Sequence, residues 1–406
     1  MSELYELPNG WEWKELNSLA KFQSGGTPKR SNKSYWNGDI PWVKISDIND
    51  NMYVDSTVEF ITKDGLDNSS AKLFSKGTIL YTIFATIGKI GILNIEATTN
   101  QAISGITPNK NTDTFYMYYG LKFITNEIKK ISTGVAQNNI NLTKLKAQFL
   151  PIPPLPEQQR IVSKLDNLFE IIDKSIALHQ KNMDDADVFM GSVLNDVFEE
   201  LEQKYEKRKI NKISTVKGGK RVPKGYKLTE KVTPYPYLRV TDFKYYGTVC
   251  KEKMLYLTEE VYQQIKRYTI TDENLYITNV GNTIGKSGII PSDLNGANLT
   301  ENAVKLVYKD KKNTSNKFMY YFTKSSIFIS QMELATKRMA VPKLAIMRLG
   351  EIATPFPPIN IQQKTVAYLD DISKKTEKIK SVQKEKMENL ISLKASILDR
   401  AFRGKL

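Results

Sequence analysis

The chain has 406 residues, 59 Lys and Arg against 44 Asp and Glu, and a formal charge of +15. A single cysteine, Cys250, excludes an internal disulfide. Together with the single histidine, His179, it cannot build a four-ligand Cys/His zinc site, and neither residue is assigned a catalytic role. The length calls for at least two domains, and the surplus positive charge, with about one residue in ten aromatic, points to a polyanionic partner.

In chain order, the opening MSELYELPNGW has neither a basic n-region nor an apolar h-region, so no secretory signal is expected. The loop SGGTPKRSNKSYW (Ser24 to Trp36) follows, combining flexible glycines with Thr27, Lys29, Arg30, Lys33 and Trp36. The weakly polar stretch from Gly77 to Gly88 is rich in β-branched residues, is closed by Lys89, and is far shorter than the roughly 20 residues of a spanning helix. No membrane contact and a cytoplasmic location are therefore expected. GVAQNNIN (Gly134 to Asn141) presents Gln137, Asn138 and Asn139, amide side chains able to pair bidentately with adenine edges. Residues 1–150 read as a β-rich α+β globule of short β-branched and aromatic runs punctuated by Gly, Asn and Pro.

The next segment, 151–205, changes character. Pro153 and Pro154 act as helix start signals, fixing φ at no cost in helical hydrogen bonds. Apolar residues then fall at Ile161, Leu165, Leu168, Ile172, Ile176, Met183, Met190, Val193, Val197 and Leu201, mostly in steps of three, four or seven. That spacing predicts a long amphipathic helix with a coiled-coil seam.

The chain then repeats itself. IPWVKISDI from Ile40 returns as YPYLRVTDF from Tyr235, and IGKIGI from Ile87 as IGKSGI from Ile284. LPIPPLPEQQRIVSKLD from Leu150 answers to TPFPPINIQQKTVAYLD from Thr354, and GSVLNDVF from Gly191 to ASILDRAF from Ala395. The offsets grow only from 195 to 204, which describes two copies with a few small insertions. The second globule spans 206–355. Its basic loops are KGGKRVPKGYK, with Lys220, Arg221 and Lys224, and ATKRMAVPK, with Lys337, Arg338 and Lys343. Segment 356–406 repeats the helix, its stripe running through Val366, Leu369, Ile372, Ile379, Leu390, Leu393, Ile397 and Ala401.

Net charge is +2 for residues 1–150, −6 for 151–205, +14 for 206–355 and +5 for 356–406. One long helix is acidic and the other basic, so they are expected to pair. A near two-fold relation makes the pair antiparallel, with the globules at opposite ends. Hydrophobic stripes alone leave open the alternative that each helix packs on its own globule.

VGNTIGKS (Val280 to Ser287) imitates a phosphate loop, but Gly281 stands one residue too close to Gly285, and the first copy has Ile90 where Ser287 stands. A shared turn presenting Lys89 and Lys286 is expected instead. The Pro153-Pro154 and Pro357-Pro358 pairs lack the polar and aromatic flanks of an amino-methyltransferase signature. No carboxylate cluster for a metal, nucleophile elbow or dinucleotide fingerprint appears, and the chain reads as non-catalytic. Each basic or amide-bearing loop alone is an ordinary solvated turn; their recurrence at comparable places in both globules favours DNA contact. The alternatives are a self-sufficient DNA methyltransferase or nuclease, and a coiled-coil adaptor that meets RNA or acidic proteins through charge alone.

At WKELNSLAKFQSGGTPKR, YWNGDIPWVKISDI, the two proline-led helix openings and the closing SLKASILDRAFRGKL, the chain resembles the specificity subunit of type I restriction-modification systems. The resemblance spans essentially the whole chain. It implies two target-recognition domains that read the halves of an asymmetric, gapped DNA site, separated by helices acting as a ruler. It also implies two methyltransferase subunits docked through the helix openings, where Pro154, Gln158, Gln159, Pro358, Gln362 and Gln363 lie. Restriction subunits join the larger complex, and S-adenosylmethionine, ATP and magnesium belong to the partners. The second copy departs from the first in having Ile361 in place of acidic Glu157 and GGKRVP in place of GGTP.

Overall fold

The computed structural model describes residues 5–406 apart from 50, 84–87, 132–141, 245–246 and 337–343, with 128–131 described as backbone only. It divides into two compact units, residues 1–179 with 384–406 and residues 180–383. Each unit therefore combines one globule with one half of each long helix, whereas the sequence segments run globule, helix, globule, helix.

The first unit is built on a five-stranded sheet ordered Ala20–Ser24, Ile103–Pro108, Ile79–Thr82, Ile90–Leu93, Tyr53–Val54. All its pairings are antiparallel except the last. A three-stranded sheet, Glu59–Ile61, Trp36–Val43, Thr98–Thr99, lies in the same unit. The second unit repeats the plan with Ser214–Gly218, Ala303–Tyr308, Leu275–Thr278, Ser287–Ile289 and with Leu255–Tyr256, Pro236–Leu238, Ala297–Leu299, Thr269–Ile270. In each unit a two-stranded antiparallel ribbon ties the start of the globule to the strand before the long helix: Glu12–Glu15 with Phe149–Ile152, and Lys207–Lys209 with Ala353–Pro355. The expected α+β class and internal repeat are both present.

The long helices are Leu155–Lys204, of 50 residues, and Ile359–Phe402, of 44. At 1.5 Å per residue they measure about 75 and 66 Å. Surface pairs Glu170–Lys174, Glu200–Lys204 and Asp371–Lys375 brace successive turns. In the first unit Lys394 meets Asp173 at 2.7 Å, and in the second Lys380 meets Asp187 at 2.8 Å. Within the first unit Arg160 also donates to Leu406 O at 3.0 Å, so from 160 to 173 one segment runs forward while from 406 to 394 the other runs back, and the two run antiparallel there. Acidic side chains of the first helix thus meet basic ones of the second, as their opposite charges predict.

The seam differs from the predicted stripe in its details. Ile161, Leu165, Ile172, Leu201, Leu369 and Ala401 are buried as expected, but Ile379 is 48% exposed and Leu393 47%. The positions that turn inward instead include Ala186, Leu194, Phe198, Thr376, Lys380 and Leu398. A straight helix drifts against a strict seven-residue repeat, so a stripe drawn across about ten turns loses phase.

Each globule's core is completed by both helices. In the first unit, Ile79, Tyr81, Ile92 and Ile106 of the sheet pack with Tyr116, Leu121 and Phe123 of helix Thr114–Ile131, then with Ile161, Leu165 and Phe169, and finally with Leu398 and Phe402. Phe402 is fully buried, stacked on Phe123 at 5.1 Å, and the Tyr5 hydroxyl donates to its carbonyl at 2.7 Å. In the second unit Phe198 takes the same place, 5.3 Å from Phe318 and 5.7 Å from Phe322, beside Leu194, Leu201 and Leu369. Phe198 and Phe402 are repeat equivalents, each closing the repeated sequence motif and each plugging the globule of the other copy.

Gln158 and Gln362, expected at a partner surface, are fully buried and engaged inside the fold. The Gln158 carbonyl accepts from the Asp113 N–H at 2.8 Å, while its amide donates to the carbonyls of Asn111 and Pro153. Gln362 repeats all three bonds with Ser315, Asn313 and Pro357. Asp113 and Ser315 cap the helices Thr114–Ile131 and Asn316–Phe322, so each glutamine locks a globule helix start to a long-helix start. A second tie runs from Tyr119 to Asp166 and from Tyr321 to Asp370, each phenol donating to the carboxylate. Gln159, Gln363, Pro154 and Pro358 are exposed.

Phe402→Ala should cost about 3–5 kcal/mol and act on the first unit alone. In hydrogen exchange, strands Ile79–Thr82 and Ile103–Pro108 lose protection while Leu275–Thr278 keeps it; equal loss in both sheets would contradict the assignment. Gln158→Ala removes the partner of three backbone groups, of which Pro153 O is buried and the other two half-buried, and should lower stability by about 1–3 kcal/mol, whereas Gln159→Ala leaves the unfolding midpoint unchanged in denaturant titration.

Candidate nucleic-acid interface

In both units the first strand of the main sheet runs into a glycine-rich loop held against the turn that precedes the strand paired with it. The Gly25 N–H donates to Ile103 O at 3.0 Å and the Gly26 N–H to Thr99 O at 2.8 Å. In the second unit Gly219 N–H donates to Ala303 O at 3.0 Å and Lys220 N–H to Leu299 O at 2.8 Å. A Cβ at Gly25 would collide with the backbone of Thr99 and Asn100, and one at Gly219 with the carbonyls of Leu299 and Thr300, so only glycine permits this approach. Trp42 Nε1 donates to Gly26 O at 3.0 Å; at the equivalent place the Tyr237 hydroxyl donates to Lys220 O at 2.9 Å. The turns 100–102 and 300–302 are fastened alike, Asn100 N–H to Val43 O and Thr300 N–H to Leu238 O.

On this shared frame the exposed side chains differ. In the first unit the Thr27 hydroxyl donates to the Gln101 carbonyl. In the second, Arg221 Nε donates to Glu301 Oε1 at 2.6 Å, with the Arg221 side chain 77% exposed. Burial pushes the Glu301 carboxyl up, but hydrogen bonds from Arg221, its own backbone N–H and Thr300 outweigh this and hold it below the ordinary carboxylate range. Lys220 and Arg267 both face the Tyr268 ring, adding cations to the same rim.

Arg30 lies 3.7 Å above the Trp36 ring, with Trp42 edge-on behind, and its guanidinium pairs with Glu59 at 2.5 Å. Glu59 also accepts from Lys44, and the hydrogen bond from that lysine is the main cause of its lowered pKa. Lys29 and Lys33 are exposed, Lys33 opening a 3-10 turn capped by Asn32. Lys224 is exposed beyond Arg221. Gln137, Asn138, Asn139, Lys337, Arg338 and Lys343 lie outside the described residues. The anchors Trp42, Tyr237, Gln101 and Glu301 escape a search for basic or amide-rich loops, because they lie on strands and turns remote in sequence. The one available signal is the match of TTNQAIS from Thr98 to NLTENAV from Asn298.

Lys89 and Lys286 are turned onto their own domains. Lys89 Nζ donates to Ile48 O at 3.0 Å and Lys286 Nζ to Phe243 O at 2.9 Å, equivalent carbonyls that fasten the turn. The expected display of these ammonium groups to a ligand gives way to an internal bond. The phosphate-loop imitation is likewise a turn into strand Ser287–Ile289, without the helix that a phosphate nest requires. Lys324 donates to Ser287 O, and burial, then the nearby Lys286 charge, pushes its pKa down to about 8. Among the described residues no group of His, Cys, Asp and Glu could hold a metal ion, and no helix is long and apolar enough to cross a membrane.

Because the folded-state pKa of Lys324 lies below its ordinary 10.5, the unfolded chain binds the proton more tightly between these values. The resulting cost is fully present below about pH 8 and is relieved as pH rises toward 10.5. The gain in thermal midpoint of Lys324→Met over wild type should therefore shrink from pH 7 to pH 10, and a constant difference would exclude the effect.

The model of the type I restriction modification DNA specificity domain matches residues 8–181 and again 202–389. The MjaIX specificity subunit of Methanocaldococcus jannaschii, a type I restriction enzyme, is 25% identical over 425 residues, covering 100% of this chain and 95% of that protein. The EcoR124I/EcoR124II specificity subunit of Escherichia coli is 32% identical over 172 residues, 41% of this chain and 42% of that one. Among solved structures, a chain from work on complex assembly and conformational transition of the type I R-M system has a TM-score of 0.74 at 20% identity, covering 99% of this chain and 100% of that one. The HsdS subunit of Thermoanaerobacter tengcongensis has a TM-score of 0.50 at 19% identity, covering 100% and 99%. With both family matches falling on the two repeats, the chain belongs to the type I restriction modification DNA specificity family.

Proposed function

We propose that the chain is the DNA-reading and scaffold subunit of a type I restriction-modification complex, binding an asymmetric bipartite site through its two globules. The observation that carries this reading is the loop frame built twice with the same backbone bonds and different exposed side chains. Two frames of one geometry suit two segments of one duplex, and different side chains on them give different bases. Lys and Arg around the loops neutralise phosphates and set register, while amide and guanidinium groups discriminate base edges. The +14 of residues 206–355 against +2 of residues 1–150 assigns the larger share of salt-dependent affinity to the second half-site.

The scaffold role rests on the helices. In the first unit Ile171 and Leu178 are each 62% exposed one heptad apart, and in the second Val188 is 72% exposed and Phe189 54%. Apolar groups so placed mark surfaces that a partner covers. The duplicated helix openings, with Pro154 and Gln159 exposed in one copy and Pro358 and Gln363 in the other, suit two equivalent methyltransferase subunits. Restriction subunits join through that assembly. The chain itself is non-catalytic, works in the cytoplasm and holds no cofactor; S-adenosylmethionine, ATP and magnesium stay with the partners.

The chain should co-purify with a methyltransferase, and the complex should methylate a bipartite sequence. Replacing residues 206–355 by the corresponding segment of another family member should change one half of that sequence and leave the other intact. A change in both halves, or methylation by the isolated chain, would refute the division of labour.

A further inference from the structure

The tips of the two loop frames carry a sharper assignment. Everything that holds the loops is the same in kind in both copies: the N–H bonds to the facing turn, the glycine packed on that turn, and the aromatic donor to the loop carbonyl. What changes is the side-chain pair bridging loop and turn at equivalent positions, Thr27 with Gln101 in one unit and Arg221 with Glu301 in the other. Two domains that read different bases must differ where they read and agree where they only support.

The chemistry of each pair suits a different base. Glu301 takes the Nε of Arg221, which leaves the two terminal amino groups as an outward fork on a side chain 77% exposed. Such a fork matches the O6 and N7 acceptors of guanine. Glu301 is itself held by the Thr300 hydroxyl at 3.0 Å and lies within 3.4 Å of the Tyr237 hydroxyl, so the arginine is fastened to a carboxylate with contacts of its own to the frame. In the first unit Gln101 is exposed and its carbonyl accepts from Thr27, leaving the amide donor and a second carbonyl lone pair for the N7 and N6 groups of adenine.

We propose that Arg221, positioned by Glu301, reads a guanine in one half-site, and that Gln101, positioned by Thr27, reads an adenine in the other. This assignment rests on the DNA-reading function proposed above. A structural or phosphate-binding Arg221 is the competing account, and it makes a different demand: charge alone suffices for it, whereas bidentate readout needs the guanidinium fork.

The test is selection of randomised duplexes by the full-length chain, comparing wild type with Arg221→Lys, Glu301→Gln and Gln101→Ala. Thermal melting checks that each variant is folded. Arg221→Lys should reduce the preference for one G·C pair about tenfold or more, with the other half-site unchanged and affinity for an unrelated duplex retained. Glu301→Gln, which keeps the arginine, should weaken the preference at the same pair, and Gln101→Ala should relax an A·T pair in the opposite half only. If Arg221→Lys and Glu301→Gln select the wild-type sequence with wild-type preference, or weaken binding to all duplexes alike, the assignment is overturned and the DNA-reading function stands. A wild-type chain that selects no sequence overturns both.

Discussion

Neither globule can bury its own apolar face without both long helices, and this dependence organises the molecule. The sheet of each unit is covered on one side by its own helix, whose aromatic residues would remain open to water if Phe402 or Phe198 were withdrawn. Burying an aromatic side chain of that size contributes several kcal/mol, a large part of the net stability of a domain. The helices are therefore part of two cores as well as a connection. The buried glutamines and the Tyr–Asp ties fix the angle at which each globule meets its helix start, since a hydrogen-bond set of that kind tolerates little rotation.

Rigid support beneath and variable chemistry above is the division that a sequence-reading domain needs. The loop after the first strand has little freedom: its backbone is pinned on one side by the facing turn and on the other by Trp42 or Tyr237. An indole and a phenol deliver the same bond from different ring systems, so even the support admits substitution where the donor atom lands in the same place. Side chains at the tip are free of that constraint, and there a neutral hydroxyl–amide pair stands opposite an ion pair.

Much of the architecture is legible in the sequence because duplication writes it twice. Helix openings, strand patterns and opposite helix charges each recur at a nearly constant offset, and the pairing of an acidic with a basic helix follows. What escapes is contact between parts that periodicity does not relate. Gln158 and Gln159 are neighbours in the chain, about 100° apart on the helix, and no apolar stripe tells which of two glutamines faces inward. Lys380 sits in the seam where a hydrophobic residue is the natural expectation, because Asp187 of the other helix receives its ammonium. Glu301 and Gln101 carry no signal of their own; their place at the loop tips arises from strand pairing across 80 and 74 residues.

The reciprocal placement of Phe198 and Phe402 bears on how the molecule comes into being. Residues of the first globule emerge from the ribosome early, yet Phe402, the ring that closes their core, is made 250 residues after their last strand ends at Ile152. At about 5–20 residues per second, that globule waits on the order of tens of seconds with an unfilled hydrophobic socket. The second globule has no such delay, because Phe198 precedes every strand it seals. Birth order thus runs opposite to chain order, the later half maturing first and the earlier half completing only when its distant plug arrives.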